Sequence, residues 1–207
     1  MKNLLVRRAL IPVVTVEHAD EAIPLAEALL DGGLDIMEVT LRTAAAIPAI
    51  KNISHRLPQM IVGAGTIRHP DDFFSVSAAG ARFVVCPGTP AALWKEAAKW
   101  DIAFLPAAAT PTEMMRLQDA GYSLQKFFPC TAMGGLDTVR ALQGPLPDLT
   151  LCPSGGINET NFMDYLAEPN VAVVSGSWMA PRSAIAAKDW SGISRLVRTA
   201  LQAGIPP

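Results

Sequence analysis

The stretch QKFFPC at 125–130 puts a lysine immediately ahead of two phenylalanines and a proline. A buried ammonium is costly unless it is paired or gives up its proton, so Lys126 has two readings. One is structural: a lysine that snorkels to the surface, or one held in an ion pair with a carboxylate such as Glu38. The other is chemical: a desolvated amine that attacks a carbonyl and forms a Schiff base. The chain has six lysines, and Lys2, Lys51, Lys95, Lys99 and Lys188 fall at the terminus or in helix and loop stretches. Lys126 alone lies within a strand-like run.

Two further charged residues interrupt an apolar run at LDIMEVTL (34–41) and just beyond it. Strand alternation puts Glu38, Thr40 and Arg42 on one face, provided the strand continues that far, and puts Lys126 and Phe128 on another shared face. Glu38 is either a charge partner or a proton shuttle. Arg42 is either a structural ion-pair partner or a planar fork for a substrate carboxylate. If both faces point inward, a carboxylate, a guanidinium and an amine converge, which is the chemistry of a keto-acid site.

A second cluster is CPSGGINET (152–160) followed by VVSGSWMAP (173–181). Ser154, Gly155 and Gly156 in the first loop, and Gly176 and Ser177 in the second, let the backbone approach an anion closely. Two tight turns would use the same glycines for their dihedrals; two adjacent Ser/Gly loops favour phosphate. Metal chemistry is disfavoured. Cys86, Cys130 and Cys152 lack paired ligand spacing, and His18, His55 and His69 share no ligand motif. The amine route needs no metal and no cofactor.

These residues need a frame that places them together. Eight apolar runs recur at 9–16, 34–41, 59–66, 81–88, 102–109, 125–130, 149–156 and 171–177, with starts 21 to 25 residues apart. Helical patterns lie between them. Asp20, Thr89-Pro90, Thr110-Pro111 and Asn158 read as helix starts, and Gly32, Gly80 and Gly121 as helix ends. Strands apolar on both faces that alternate with helices predict a parallel α/β sheet covered on both sides. Eight such units predict a closed (β/α)₈ TIM barrel. An open doubly wound sheet normally has fewer strands, and its GxGxxG fingerprint is missing after the first run. In a barrel the site lies at the C-terminal strand ends, where Glu38, Arg42, Thr66, Pro87, Lys126, Ser154 and Ser177 fall, and phosphate sits on the last two loops. The segment SAIAAKDWSGISRLVRTALQAG reads as one closing helix.

The whole chain fits that frame. Its 207 residues predict a single domain over 1–207, and half of them are hydrophobic, enough for a sizeable core. A net charge of −2 and the absence of any Lys/Arg run argue against nucleic acid and anionic membrane as partners. Three unpaired-looking cysteines point to a reducing, cytoplasmic setting. The N-terminal positive charges precede an apolar run too short for a signal peptide or a membrane span, so a first strand fits better.

Taken in order, EVTLRT (38–43), VGAGT (62–66), PTE (111–113), KFFP (126–129), CPSGGI (152–157) and GSWMAP (176–181) resemble the bacterial 2-keto-3-deoxy-6-phosphogluconate aldolases. These are class I, Schiff-base lyases of the Entner–Doudoroff route, and the resemblance runs in register from about residue 10 to 182. It implies Lys126 as the Schiff-base lysine and Glu38 as the acid/base. It implies keto-acid carboxylate contacts from Arg42 and Thr66, and a pocket lined by Pro87 and Phe128. Ser154, Gly155, Gly156 and Ser177 match its phosphate site, with Gly176 beside them. It also implies a homotrimer. The chain departs from the family pattern with Ser154 in place of Thr, Cys130-Thr131 in place of a small residue and Glu, and Pro106-Ala107 in place of Pro-Gly. All lie near the mouth, where they bear on substrate preference: 4-hydroxy-2-oxoglutarate or 2-keto-3-deoxy-6-phosphogalactonate are the alternatives. A phosphate-binding barrel isomerase or epimerase would need no lysine at 126, and a sugar-phosphate sensor would hold it only as structure.

Overall fold

Each of the eight apolar runs coincides with a strand shorter than itself, although β7 begins one residue ahead of its run, at Leu124. The computed structural model describes Leu5 and residues 8–203; the other residues of the charged N-terminal segment, Lys2 included, and residues 204–207 lie outside the described residues. In chain order the first half runs β1 (Leu10–Val14), α1 (Ala22–Gly32), β2 (Ile36–Thr40), α2 (Ala46–Arg56), β3 (Ile61–Gly65), α3 (Asp72–Ala78), β4 (Phe83–Val85) and α4 (Ala91–Ala97). The fifth run is divided into β5 (Ala103–Leu105) and β6 (Ala107–Ala108). Pro106 stands between them and has no N–H to give to a ladder. The second half runs α5 (Pro111–Asp119), β7 (Leu124–Phe127), α6 (Gly135–Gln143), β8 (Thr150–Pro153), α7 (Phe162–Leu166), β9 (Val174–Gly176), α8 (Arg182–Ala186) and α9 (Trp190–Gln202).

The strands form a six-stranded sheet in the order β5-β4-β3-β2-β1-β9 and a three-stranded sheet in the order β6-β7-β8. Every pairing is parallel. The arrangement therefore differs from a single eight-stranded sheet. Pro106 breaks it on one side. On the other, β8 meets the β9 region through two isolated parallel bridges, Leu151 with Val171 and Ser154 with Ser175. The fold is a curled parallel α/β arrangement.

Alternation along each strand divides the apolar side chains into two cores. Met37, Val39, Val62, Phe127 and Leu151 belong to the large cluster that includes the helices. Ile11, Ile36, Ile61, Phe83, Leu105, Leu124, Cys152 and Val173, seven within the runs and Leu124 just ahead of the sixth, form part of a second cluster on the opposite strand faces. With both faces buried, the runs have no place for an alternating polar residue, which is why they read as continuously apolar.

The helix signals were only partly local. Thr110 caps α5: the Glu113 N–H donates to its hydroxyl at 3.4 Å, and the Glu113 carboxylate accepts from Ala109 and Thr110 N–H at 2.8 and 2.9 Å. Those backbone amides, Ala109's above all, hold the Glu113 carboxyl below its ordinary value. The other expected starts differ. Asp20 lies in a short 3₁₀ turn, Ala19–Glu21, closed by Glu21, which accepts from the Glu17 and His18 N–H groups. Thr89 ties β4 to β6: its hydroxyl accepts from the Ala107 N–H and donates to the Ala107 carbonyl, both at 2.8 Å. Asn158 accepts from the Thr160 N–H in a turn ahead of α7. Gly80 and Gly121 take the left-handed conformation expected of helix ends, but after α1 that role falls to Gly33, not Gly32. The C-terminal segment is two helices. Lys188, with φ at 54°, breaks it, and Asp189 caps α9 by accepting from the Gly192 N–H at 2.9 Å. Among the described residues no helix is long and apolar enough to cross a membrane.

Candidate active site

Lys126 belongs to β7 and Glu38 to β2, so they come from different sheets. In register Lys126 lies beside Ala107 and Cys152, while Glu38 lies beside Val13 and Gly63. The two side chains meet in the space between the sheets, with Lys126 Nζ 3.5 Å from Glu38 Oε1. Lys126 is 6% exposed and Glu38 2%. The ammonium end also stands 5.4 Å over the Phe128 ring centre, a cation–π distance. A buried pair of this kind adds little net stability, because desolvating both charges offsets their attraction.

Glu38 has room because its neighbour has no side chain. A Cβ placed on Gly65 would fall 2.1 Å from Glu38 Oε1. The next residue, Thr66, has a left-handed φ of 63°, the conformation that turns the chain away at the end of β3. Below the mouth, Thr15 and Thr40 hydroxyls lie 2.8 Å apart, and the Thr40 hydroxyl also donates to the Val14 carbonyl.

Above this pair opens a cavity of about 560 Å³. Lys126, Phe128 and Arg42 line one part of it, and Ser154, Gly155, Gly156, Gly176 and Ser177 line another. Arg42 arrives there from a turn, since β2 ends at Thr40; strand alternation does not reach it. Thr66 and Pro87 are outside this lining. Pro87 instead borders a neighbouring cavity of about 580 Å³ with Thr89, Trp94 and Arg116, because the chain after β4 turns outward to reach α4. Thr15, Trp178 and Arg182 line the first cavity without having been singled out in the sequence, and Asn158, read there only as a helix start, lines it too. Trp178 lay within the GSWMAP motif; Arg182, at the start of a short helix, gave no signal.

The segment after Lys126 also supports the glycine loop. Cys130 and Thr131 donate their N–H groups to the Ser154 and Gly155 carbonyls at 2.8 and 3.0 Å. Gly155 and Gly156 both have left-handed φ, at 88° and 85°. A Cβ on Gly156 would come within 2.1 Å of the Thr131 hydroxyl. One strand end thus carries the amine and shapes the loop beside it.

The cysteine thiols are buried. Burial pushes the Cys152 thiol up to about 12, against the opposing pull of the Lys126 charge, and pushes the Cys130 thiol up to about 11. Burial raises Cys86 as well. His18, His55 and His69 are exposed, as are Lys51, Lys95, Lys99 and Lys188. Among the described residues no three His, Cys, Asp or Glu side chains gather as metal ligands.

A lysine and a glutamate in contact on facing parallel strands, under a cavity edged by Ser/Gly loops, set an amine beside a carboxylate in a buried α/β pocket. A family model described as KDPG and KHG aldolase matches residues 1–196, so the chain belongs to the KDPG and KHG aldolase family and is a lyase. It is 43% identical over 191 residues to the 2-dehydro-3-deoxy-phosphogluconate aldolase of Pseudoalteromonas atlantica, covering 92% of this chain and 89% of that one. Its fold is similar to that of the KDPG aldolase of Legionella pneumophila, solved with pyruvate captured at low pH as a covalent carbinolamine intermediate. The TM-score is 0.91 at 41% identity, over 93% of this chain and 94% of that one. The 2-keto-3-deoxy-6-phosphogluconate aldolase of Zymomonas mobilis, solved with 3-phosphoglycerate, gives 0.90 at 36% identity, over 96% and 93%.

Proposed function

We propose that the chain cleaves 2-keto-3-deoxy-6-phosphogluconate to pyruvate and glyceraldehyde 3-phosphate through a Schiff base on Lys126. The observation that carries this reading is the 3.5 Å contact between Lys126 Nζ and Glu38 Oε1 at the floor of the cavity. Proton transfer within that pair frees the amine. It attacks the C2 ketone, and Glu38 moves the protons that expel the C2 oxygen as water from the carbinolamine. The iminium then accepts electrons from the C3–C4 bond while Glu38, through a water, takes the C4 hydroxyl proton. Glyceraldehyde 3-phosphate leaves, the enamine is protonated at C3, and hydrolysis releases pyruvate and restores Lys126.

Arg42 holds the keto-acid carboxylate by its planar fork. Phe128 packs against the bound carbons, and Ser154, Gly155, Gly156, Gly176 and Ser177 take the phosphate. Thr66 and Pro87 join the substrate contacts only if it extends beyond the 560 Å³ cavity. We read the two sheets as arcs of one closed (β/α)₈ barrel. The two bridges from β8 and its following loop to Val171 and Ser175, and the second cluster with a member in or beside each of the eight runs, support that reading. One domain over the whole chain, a homotrimer and a cytoplasmic setting complete the proposal; the trimer rests on the family resemblance.

Cleavage of 4-hydroxy-2-oxoglutarate is the second reading, favoured by a family description that includes both substrates. Borohydride reduction in the presence of pyruvate, followed by peptide mapping, tests the shared chemistry. The expected result is a stable adduct on Lys126 that is lost in Lys126→Met. A folded wild type without an adduct would leave Lys126 structural and return the isomerase reading.

A further inference from the structure

The lining of the 560 Å³ cavity contains three cations, Arg42, Lys126 and Arg182, and neither Asp nor Glu. Lys126 is paired with Glu38. Among the described residues, no carboxylate pairs with Arg42 or Arg182. The cavity therefore presents two guanidinium groups with unspent charge. Their positions follow from the strand order β8, β9, β1, β2. Arg42 follows β2, at the far end of that series. Arg182 opens α8 just after β9, on the side of the Ser154–Gly156 loop and Ser177. Two separated cations with no competing anion match a ligand charged at both ends. Arg182 lines the same cavity as the loops whose glycines admit a close-packed anion.

Resting on the aldolase reading above, we propose that Arg182 is a specificity-determining residue. It reads the charge of the aldehyde half, so that this chain prefers a dianionic phosphorylated aldehyde to an uncharged one. A guanidinium can meet two phosphate oxygens at once, and a dianion gains more from it than a neutral hydroxyl does. Arg182 takes no part in forming the Schiff base, because the reacting carbon is at Lys126. Its effect therefore falls on capture of the phosphorylated end.

The experiment runs the reaction in the direction of synthesis, with pyruvate in excess and either D-glyceraldehyde 3-phosphate or D-glyceraldehyde as acceptor. The quantity read is the ratio of kcat/KM for the two aldehydes. Arg182→Gln is expected to lower that ratio about 10- to 100-fold, the usual worth of a charge-assisted hydrogen bond, mostly through the KM of the phosphorylated acceptor. Arg182→Lys, which keeps the charge without the fork, should recover part of it. Added salt should raise the wild-type KM for the phosphorylated acceptor more steeply than that of Arg182→Gln. Arg182 is exposed, so both variants should fold, which circular dichroism checks. A ratio in Arg182→Gln within about twofold of wild type, alongside a pyruvate adduct on wild-type Lys126, would overturn the assignment and leave the aldolase reading standing. Equal losses with both aldehydes would overturn it too. A wild type that forms no pyruvate adduct would remove both.

Discussion

Cys152 lies beside Lys126 in the parallel register with its thiol fully enclosed. Enclosure penalises the thiolate, which is why the group is pushed up to about 12. Below pH 9 a thiol keeps its proton in both the folded and the unfolded chain, so it has no bearing on stability. Between pH 9 and 12 the unfolded chain loses the proton and the folded chain keeps it, and unfolding becomes easier as pH rises. The loss amounts to about 1.4 kcal/mol per pH unit for one group. Urea melts at pH 8 to 11 should therefore show a shallower alkaline decline in Cys152→Ser than in wild type. At this scale the sequence was informative where a charge interrupted an apolar run. Lys126 and Glu38 were legible for that reason. Arg182 was not, because an arginine at a helix start reads as solvated surface, and only the path of the chain after β9 brings it to the cavity.

Elements decide whether such residues meet. Strand β3 serves the site through what Gly65 leaves out, since its missing Cβ is the space that the Glu38 carboxylate occupies. Gly65→Ala should displace that carboxylate without unfolding the strand. Turnover is expected to fall at least tenfold, towards the roughly 10²–10⁴-fold loss expected when an acid/base group is removed, and Glu38→Gln supplies that limit for comparison. Steady-state kinetics with a parallel circular dichroism spectrum checks it; turnover within threefold of wild type would contradict the account. Strand positions were readable because each run is apolar on both faces. The division at Pro106 was less so: proline is tolerated at a strand edge or break, and only the neighbours show that β5 pairs with β4 while β6 pairs with β7. Helix starts were readable where the cap is self-contained, as in Thr110–Glu113. Elsewhere the helix starts a residue or more further on and the polar side chain serves a distant strand, as Thr89 does for Ala107 ahead of α4, whose cap is Pro90.

At the scale of the whole molecule, the last helix returns to the first. Ser194 in α9 donates its hydroxyl to the Ala28 carbonyl at 2.9 Å, across 166 residues, and Arg198 pairs with Asp31 at 3.2 Å. The two helices are tightly packed at Gly32, where a Cβ would fall 2.6 Å from the Val197 Cβ and 2.9 Å from the Ser194 carbonyl. Replacing glycine with alanine inside a helix usually gains about 0.5–1 kcal/mol, but forcing a methyl into a filled contact costs about 1–3 kcal/mol. The second effect wins. Gly32→Ala should lower the urea midpoint, and an unchanged or raised midpoint would show that the two helices can separate freely. Nothing in the local sequence around Gly32 announces this contact, since its partner stands at the opposite end of the chain.

Strand β1 takes its second neighbour, β9, from that same opposite end, with Leu10 beside Val174 and Pro12 beside Gly176. On a ribosome, β1 emerges well ahead of β9 and keeps one edge open until Val174–Gly176 has been made. An open parallel edge accepts any matching strand within reach. Neighbouring nascent chains on one message therefore compete to supply it, and slow closure across such a long separation gives them time.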